Sequence, residues 1–92
     1  MDKARSHVFI EGRVQGVCYR AFTRDIAYSL GLNGWIKNLR DGRVEALFEG
    51  KKDLIEQVIK KCFDGPPGSM VTNIKVKWEK FIGDLKGFTI RF

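Results

Sequence analysis

The stretch of this chain most suited to chemistry is Gly12-Arg13-Val14-Gln15-Gly16-Val17-Cys18-Tyr19-Arg20. It joins the end of a strand-like segment to the start of a helix-like one. Unpaired backbone N–H groups and the positive end of a helix dipole converge at such a junction, which makes it a ready site for an anion. Gly16 permits a positive φ, so the successive amides from Gln15 to Arg20 can curl around an oxyanion. Arg20, in the first helical turn, can add a planar guanidinium that meets a phosphate through two parallel bonds. A tight connection carrying a solvated arginine is the commoner reading of such a junction taken alone. The spacing matches neither GxGxxG nor GxxxxGK followed by Ser or Thr, so nucleotide-binding fingerprints are not supported.

The elements that must position this stretch follow from periodicity. Val8 to Arg13 reads as a strand, with Val8 and Ile10 on one face and His7, Phe9 and Glu11 on the other. From Arg20 the period becomes helical, which turns Phe22, Ile26, Ala27 and Leu30 inward and Thr23, Arg24, Asp25 and Ser29 outward; Gly31 is the stop. Asn33 to Leu39 is a second strand, and Asp41-Gly42 signals a hairpin back into a third. That strand alternates Val44, Ala46 and Phe48 with Glu45, Leu47 and Glu49. Lys51 to Phe63 is a second helix with an apolar stripe of Leu54, Ile55, Val58, Ile59 and Cys62. The cluster Asp64-Gly65-Pro66-Pro67-Gly68-Ser69 is a loop. Ile74 to Glu79 forms a fourth strand, and Phe88 to Phe92 a short last one. The expected fold class is α+β, a ferredoxin-like βαββαβ sandwich. Its sheet is mostly antiparallel with an extra C-terminal strand, two helices cover one face, and a single domain spans residues 1–92.

Composition bounds what this domain can be. The chain has 92 residues, of which 17 are Lys or Arg and 11 Asp or Glu, a net charge of +6. That length suits one domain with one core. Seven Phe and 43% hydrophobic residues exclude a disordered chain. Apolar runs such as Val8-Phe9-Ile10 and Ala46-Leu47-Phe48 fall far short of the ~20 residues a spanning helix needs. The charged segment Met1 to His7 has no apolar stretch behind it, so no secretory signal is expected. The excess positive charge suits an anionic partner, either nucleic acid or a small phosphate.

The remaining reactive side chains point less far. His7, the single histidine, reads as a strand-surface residue. Cys18 lies inside the stretch, but a cysteine-phosphatase loop needs Cys-x5-Arg, and here Tyr19 alone separates Cys18 from Arg20. Cys18 and Cys62 are too few for a disulfide scaffold, which fits a reducing cytoplasm. In this topology the two helices are expected to run roughly parallel, placing Cys18 at the start of one and Cys62 near the far end of the other. That exceeds the ~7 Å Cα separation a bridge allows, so two free thiols are expected. An RNA-binding reading rests on Lys86-Gly87-Phe88, which begins like an RNP1 motif, but Thr89 fails the small-residue position that follows.

A second stretch bears on the choice. Gly34-Trp35-Ile36-Lys37-Asn38-Leu39-Arg40-Asp41-Gly42-Arg43-Val44-Glu45-Ala46-Leu47-Phe48-Glu49-Gly50 spans the hairpin. Together with Ile10 to Arg20 it closely resembles both signatures of the acylphosphatase family, in the same order and spacing. Gly65-Pro66-Pro67 and the ending Phe88-Thr89-Ile90-Arg91-Phe92 are similar to that family's loop and C-terminal strand. The resemblance implies hydrolysis of acyl phosphates to a carboxylate and inorganic phosphate, with no metal and no cofactor. It assigns phosphate binding to Arg20 and to the amides of Gln15, Gly16, Val17, Cys18, Tyr19 and Arg20. Asn38 matches the asparagine that holds the attacking water. Three positions depart from the pattern. Tyr19 stands where Phe is commoner, Ile36 where Val or Ala is usual, and Leu39 where some members carry a Thr beside the asparagine.

These roles make chemical sense. A mixed anhydride has a good carboxylate leaving group, so positioning and electrostatics carry most of the phosphoryl transfer. A neutral carboxamide can orient water without repelling a dianion. The expected protein is a cytoplasmic monomer acting on a small acyl phosphate, with neither nucleic acid nor membrane as partner. The alternative is a non-catalytic module of the same fold that binds phosphate or RNA.

Overall fold

Along the chain the elements are β1 (Lys3–Arg13), α1 (Tyr19–Ser29), β2 (Asn33–Asn38), β3 (Val44–Lys51), α2 (Lys52–Asp64), β4 (Met70–Glu79) and β5 (Phe88–Ile90). They are taken from a computed structural model that describes residues 2–92. β1 lies between β3 and β4 and is antiparallel to both. β2 adds antiparallel to β3, and β5 runs parallel to β2, giving the order β4-β1-β3-β2-β5. This is the α+β ferredoxin-like plan with the additional terminal strand.

One face of the sheet carries the core. Val8, Ile10, Ile36, Val44, Ala46 and Phe48 pack there against Tyr19 and Ala27 of α1 and Ile55, Val58 and Cys62 of α2. Each Val, Ile or Phe side chain among them contributes about 1.5–3 kcal/mol on leaving water. Register aligns Ile10 with Val44, and Val44 with Asn38. The last residue of β2 therefore turns its side chain toward the helical layer, in line with two core residues. At Gly12, φ is +123° and a Cβ would fall 2.1 Å from the Met70 carbonyl oxygen. Only glycine fits this bulge, which shifts the register with β4 just before the loop leading to α1.

Two details differ from the sequence expectation. Thr23 does not face outward: it is fully buried, and its hydroxyl lies 3.8 Å from the Cys62 Sγ. Tyr19, Thr23 and Ala27 share the deepest stripe of α1. Small side chains suit the line where two helices meet, whereas Phe22, Ile26 and Leu30 flank it half-buried. The helices also run antiparallel rather than parallel. β1 and β3 are antiparallel neighbours, and each is followed by a helix that runs back along it. The start of α1 therefore meets the end of α2. Cys18 and Cys62 are nonetheless both free, because Cys18 is exposed on the loop and Cys62 is buried beneath it.

Other differences are of extent. β1 begins at Lys3 rather than Val8, since its polar start pairs with β3 from Lys3 and with β4 as well from Arg5. β4 begins at Met70 rather than Ile74. β5 ends at Ile90, although the Arg91 amide still donates to the Ile36 carbonyl at 2.8 Å. On the face away from the helices, His7 stacks beside Phe9 and meets the Glu45 carboxylate at 2.5 Å. Leu47 and Glu49 lie on that face as the alternation predicts, yet both are buried. The Glu49 carboxylate accepts from Arg5 at 3.0 Å and from the amide of Ile82 at 2.9 Å, with the Gly83 amide at 3.3 Å. This clasp holds the connection between β4 and β5 against the sheet. No helix of the described residues is long and apolar enough to cross a membrane.

Candidate active site

β1, β2 and β5 all run in the same direction, so their C-terminal ends emerge at one end of the sheet. The start of α1 and the end of α2 lie at that end too. The loop after β1 bends through two left-handed residues, Gly16 at φ +73° and Cys18 at φ +63°. For a residue with a side chain this conformation costs roughly 1–2 kcal/mol. Backbone strain of this kind is concentrated at functional sites. Cys18 is the N-cap of α1 and makes no side-chain cap bond, and the first turn holds no acidic residue. Among the described residues, no protein acceptor takes a hydrogen bond from the amides of Gln15 to Arg20. The orphan donors and the positive dipole end thus remain without a protein partner, an arrangement that can take an anion.

Arg20 projects from the first turn of α1. Its Nη1 lies 3.5 Å from the Arg91 carbonyl oxygen, and its guanidinium lies 5.0 Å from the centre of the Phe92 ring. Both contacts come from the residues just after β5. Arg91 is in turn fixed by its bond to Ile36 and by packing of its guanidinium 4.6 Å from the centre of the Trp35 ring. Asn38 ends β2, and its Oδ1 is buried with no hydrogen-bond partner. An unpaired buried carbonyl oxygen is costly unless a ligand or water supplies the donor.

Arg20 and Asn38 line one cavity of about 350 Å³ together with Val14, Gly16, Cys18, Tyr19, Ala21, Ile90 and Phe92. No carboxylate is among these residues, so the cavity suits an anion. Gln15 and Val17 lie in the loop without lining the cavity wall. The Gln15 side chain instead donates to the Leu39 carbonyl at 2.7 Å and to the Arg43 carbonyl at 2.9 Å.

Behind the loop, the buried Tyr19 ring anchors α1. Its hydroxyl donates to the Cys62 carbonyl at 2.6 Å, one of the last-turn carbonyls that α2 leaves unpaired. Burial above all, with the neighbouring Cys62, drives the phenol pKa far above its ordinary value. This tyrosine is therefore a structural donor rather than an acid or base. Sequence reasoning missed the contributions of Ile90, Arg91 and Phe92 and the partners of the Gln15 carboxamide. No local signal marks them, since each depends on pairing between distant segments.

Residues 6–90 match the family described as Acylphosphatase. The chain belongs to the acylphosphatase family. It is 46% identical to an acylphosphatase of Pelotomaculum thermopropionicum over the whole of both chains. It is 50% identical to one from Syntrophobacter fumaroxidans, over all of this chain and 95% of the relative. The crystal structure of acylphosphatase from Bacillus subtilis superposes with a TM-score of 0.94 at 35% identity, covering 97% of this chain and 99% of that one. Within the acylphosphatase framework, the Tyr19 departure supplies the bond to Cys62. The Leu39 departure removes a side-chain hydroxyl beside Asn38 while leaving a backbone carbonyl that Gln15 grasps.

Proposed function

We propose that this acylphosphatase hydrolyses small acyl phosphates, with the phosphoryl group bound by the amides of residues 15–20 and by Arg20, and with the attacking water oriented by Asn38. The observation that supports the reading is one cavity lined by Arg20, by the loop residues Gly16, Cys18 and Tyr19, and by Asn38 with its unpartnered Oδ1. The guanidinium and amides offset charge on the equatorial phosphoryl oxygens. The Asn38 carboxamide accepts a hydrogen bond from water and sets its oxygen in line with the bond to be broken. As the water oxygen bonds to phosphorus, the phosphorus–oxygen bond to the acyl group breaks. The electron pair leaves with the carboxylate, and the water proton passes to a phosphate oxygen of the substrate. No protein acid is required, because the carboxylate departs unprotonated, and no protein base is required, because a phosphate oxygen of the substrate takes the water proton.

On this reading residues 1–92 work as one domain, and the enzyme is a cytoplasmic monomer without a nucleic-acid partner. Two free thiols support the reducing compartment. The test is phosphate release from benzoyl phosphate in the presence of EDTA. Arg20→Ala and Asn38→Ala should each lose ~10²–10³ in turnover, the loss typical of an oxyanion donor, with circular dichroism unchanged. Turnover by either variant at the wild-type rate would overturn the assignment. Binding of phosphate with no turnover by the wild type would favour the non-catalytic module.

A further inference from the structure

We infer that the Gln15 side chain is a positioning residue, one that sets the distance between the phosphate cradle and the water-orienting Asn38; this rests on the function proposed above. A primary carboxamide has two N–H donors, and both are used here. One goes to the Leu39 carbonyl at 2.7 Å and the other to the Arg43 carbonyl at 2.9 Å. Those two residues close the turn between β2 and β3. The Leu39 amide donates to the Arg43 carbonyl at 2.8 Å, and the Gly42 amide to the Leu39 carbonyl at 3.2 Å. Gln15 therefore adds a third strand of bonding to that pair, from the opposite side of the site.

The position of this brace gives it meaning for the reaction. The ladder between β2 and β3 ends at Asn38 paired with Val44, and β5 last bonds β2 at Ile36. Leu39 is the next residue after Asn38, beyond both. Among the described residues, no other side-chain hydrogen bond joins the loop of residues 14–20 to the turn of residues 38–43. The loop fixes where phosphorus rests, and the turn fixes where the water rests. In-line attack depends on the separation of the two, and misplacement by about 1 Å can cost ~10²-fold. Gln15 spans that gap directly. Because both of its donors are taken, its side chain has none left for the phosphate. Its absence should therefore disturb attack rather than binding.

The test uses Gln15→Met, which keeps the bulk and removes the donors, and Gln15→Asn, whose shorter reach spares at most one bond. Gln15→Met should lower kcat for benzoyl phosphate by roughly 10- to 100-fold. KM and inhibition by inorganic phosphate should stay within about 3-fold of wild type, the pattern of an interaction used only in the transition state. Gln15→Asn should show a smaller loss of the same kind. In an Asn38→Ala background, adding Gln15→Met should cost less than about 3-fold, because residues acting through one another are not additive. Without any substrate, amide hydrogen exchange at Leu39 and Gly42 should quicken in Gln15→Met while the core strands stay protected.

A full loss of kcat in the Asn38→Ala background, or a parallel rise in KM, would overturn the proposal. So would unchanged exchange at Leu39. If the wild type fails to hydrolyse benzoyl phosphate, it is the proposed function that falls, and the exchange measurement still decides whether Gln15 holds the turn.

Discussion

The Tyr19 hydroxyl donates to the Cys62 carbonyl across 2.6 Å, tying the first turn of α1 to the last turn of α2. The loop proposed to bind the phosphoryl group is thus backed by a buried bond. The tie also reports helix direction, since only antiparallel helices bring these two ends together.

Tyr19→Phe removes that donor and leaves a buried carbonyl without it, a change worth about 1–3 kcal/mol. Thermal unfolding should fall by several degrees, about 4–8 °C per kcal/mol for a domain this size. Turnover at saturating substrate should be little changed, because the phenol takes no part in the chemistry. An unchanged Tm would show that the bond contributes nothing net.

The Arg20 guanidinium lies within reach of the Arg91 carbonyl and over the Phe92 ring. Lysine would keep the charge but lose both the fork for phosphate and the planar packing. Arg20→Lys is expected to lose ~10²-fold in kcat/KM and to weaken inhibition by inorganic phosphate. Activity within a few-fold of wild type would reduce the role of Arg20 to charge alone.

Burial by itself would raise the Glu49 pKa, but the Ile82 amide, the Arg5 guanidinium and the Gly83 amide together hold it below the ordinary 4.5. A carboxylate lowered in the fold stabilises fully above its unfolded value and loses that contribution as pH falls through the folded value. Denaturant unfolding at a series of pH values should show wild-type stability falling below about pH 4.5. Glu49→Gln should be less stable at neutral pH and show a shallower acid limb. Parallel acid limbs for the two proteins would remove Glu49 from the account.

The two thiols should separate cleanly. Cys18 is exposed and should react with a disulfide reagent in the native protein. Cys62 is buried, and burial pushes its thiol up to about 11 from the ordinary 9.0. It should react only on unfolding. A thiol kept neutral in the fold contributes stability below its unfolded value and loses it as pH rises toward the folded one. The stability difference between wild type and Cys62→Ala should therefore shrink from pH 9 upward. Two thiols reacting at equal rates in the folded protein would contradict the placement of Cys62.

Much of the candidate site's local geometry was legible because its parts are local. Gly16 at a strand-to-helix junction, Arg20 in the following turn and the Asp41-Gly42 hairpin signal each act within a few residues. Strand alternation alone places Val8, Ile10, Val44, Ala46 and Phe48 together on one face. Thr23 and Glu49 were not legible in the same way. A residue's burial depends on what packs over it: α2 comes down on Thr23, and the connection between β4 and β5 clasps Glu49.

Sequence alone determined the element order, the motif that turns amides outward and the family resemblance carried by two motifs. Only the tertiary structure decided that α1 and α2 run antiparallel, that Arg91 and Phe92 meet Arg20, and that Gln15 reaches the turn after Asn38. The reason is geometric. Periodicity and turn chemistry act along the chain, whereas these contacts link residues 24 to 71 positions apart. They exist because the sheet order β4-β1-β3-β2-β5 points three strand ends at the same place.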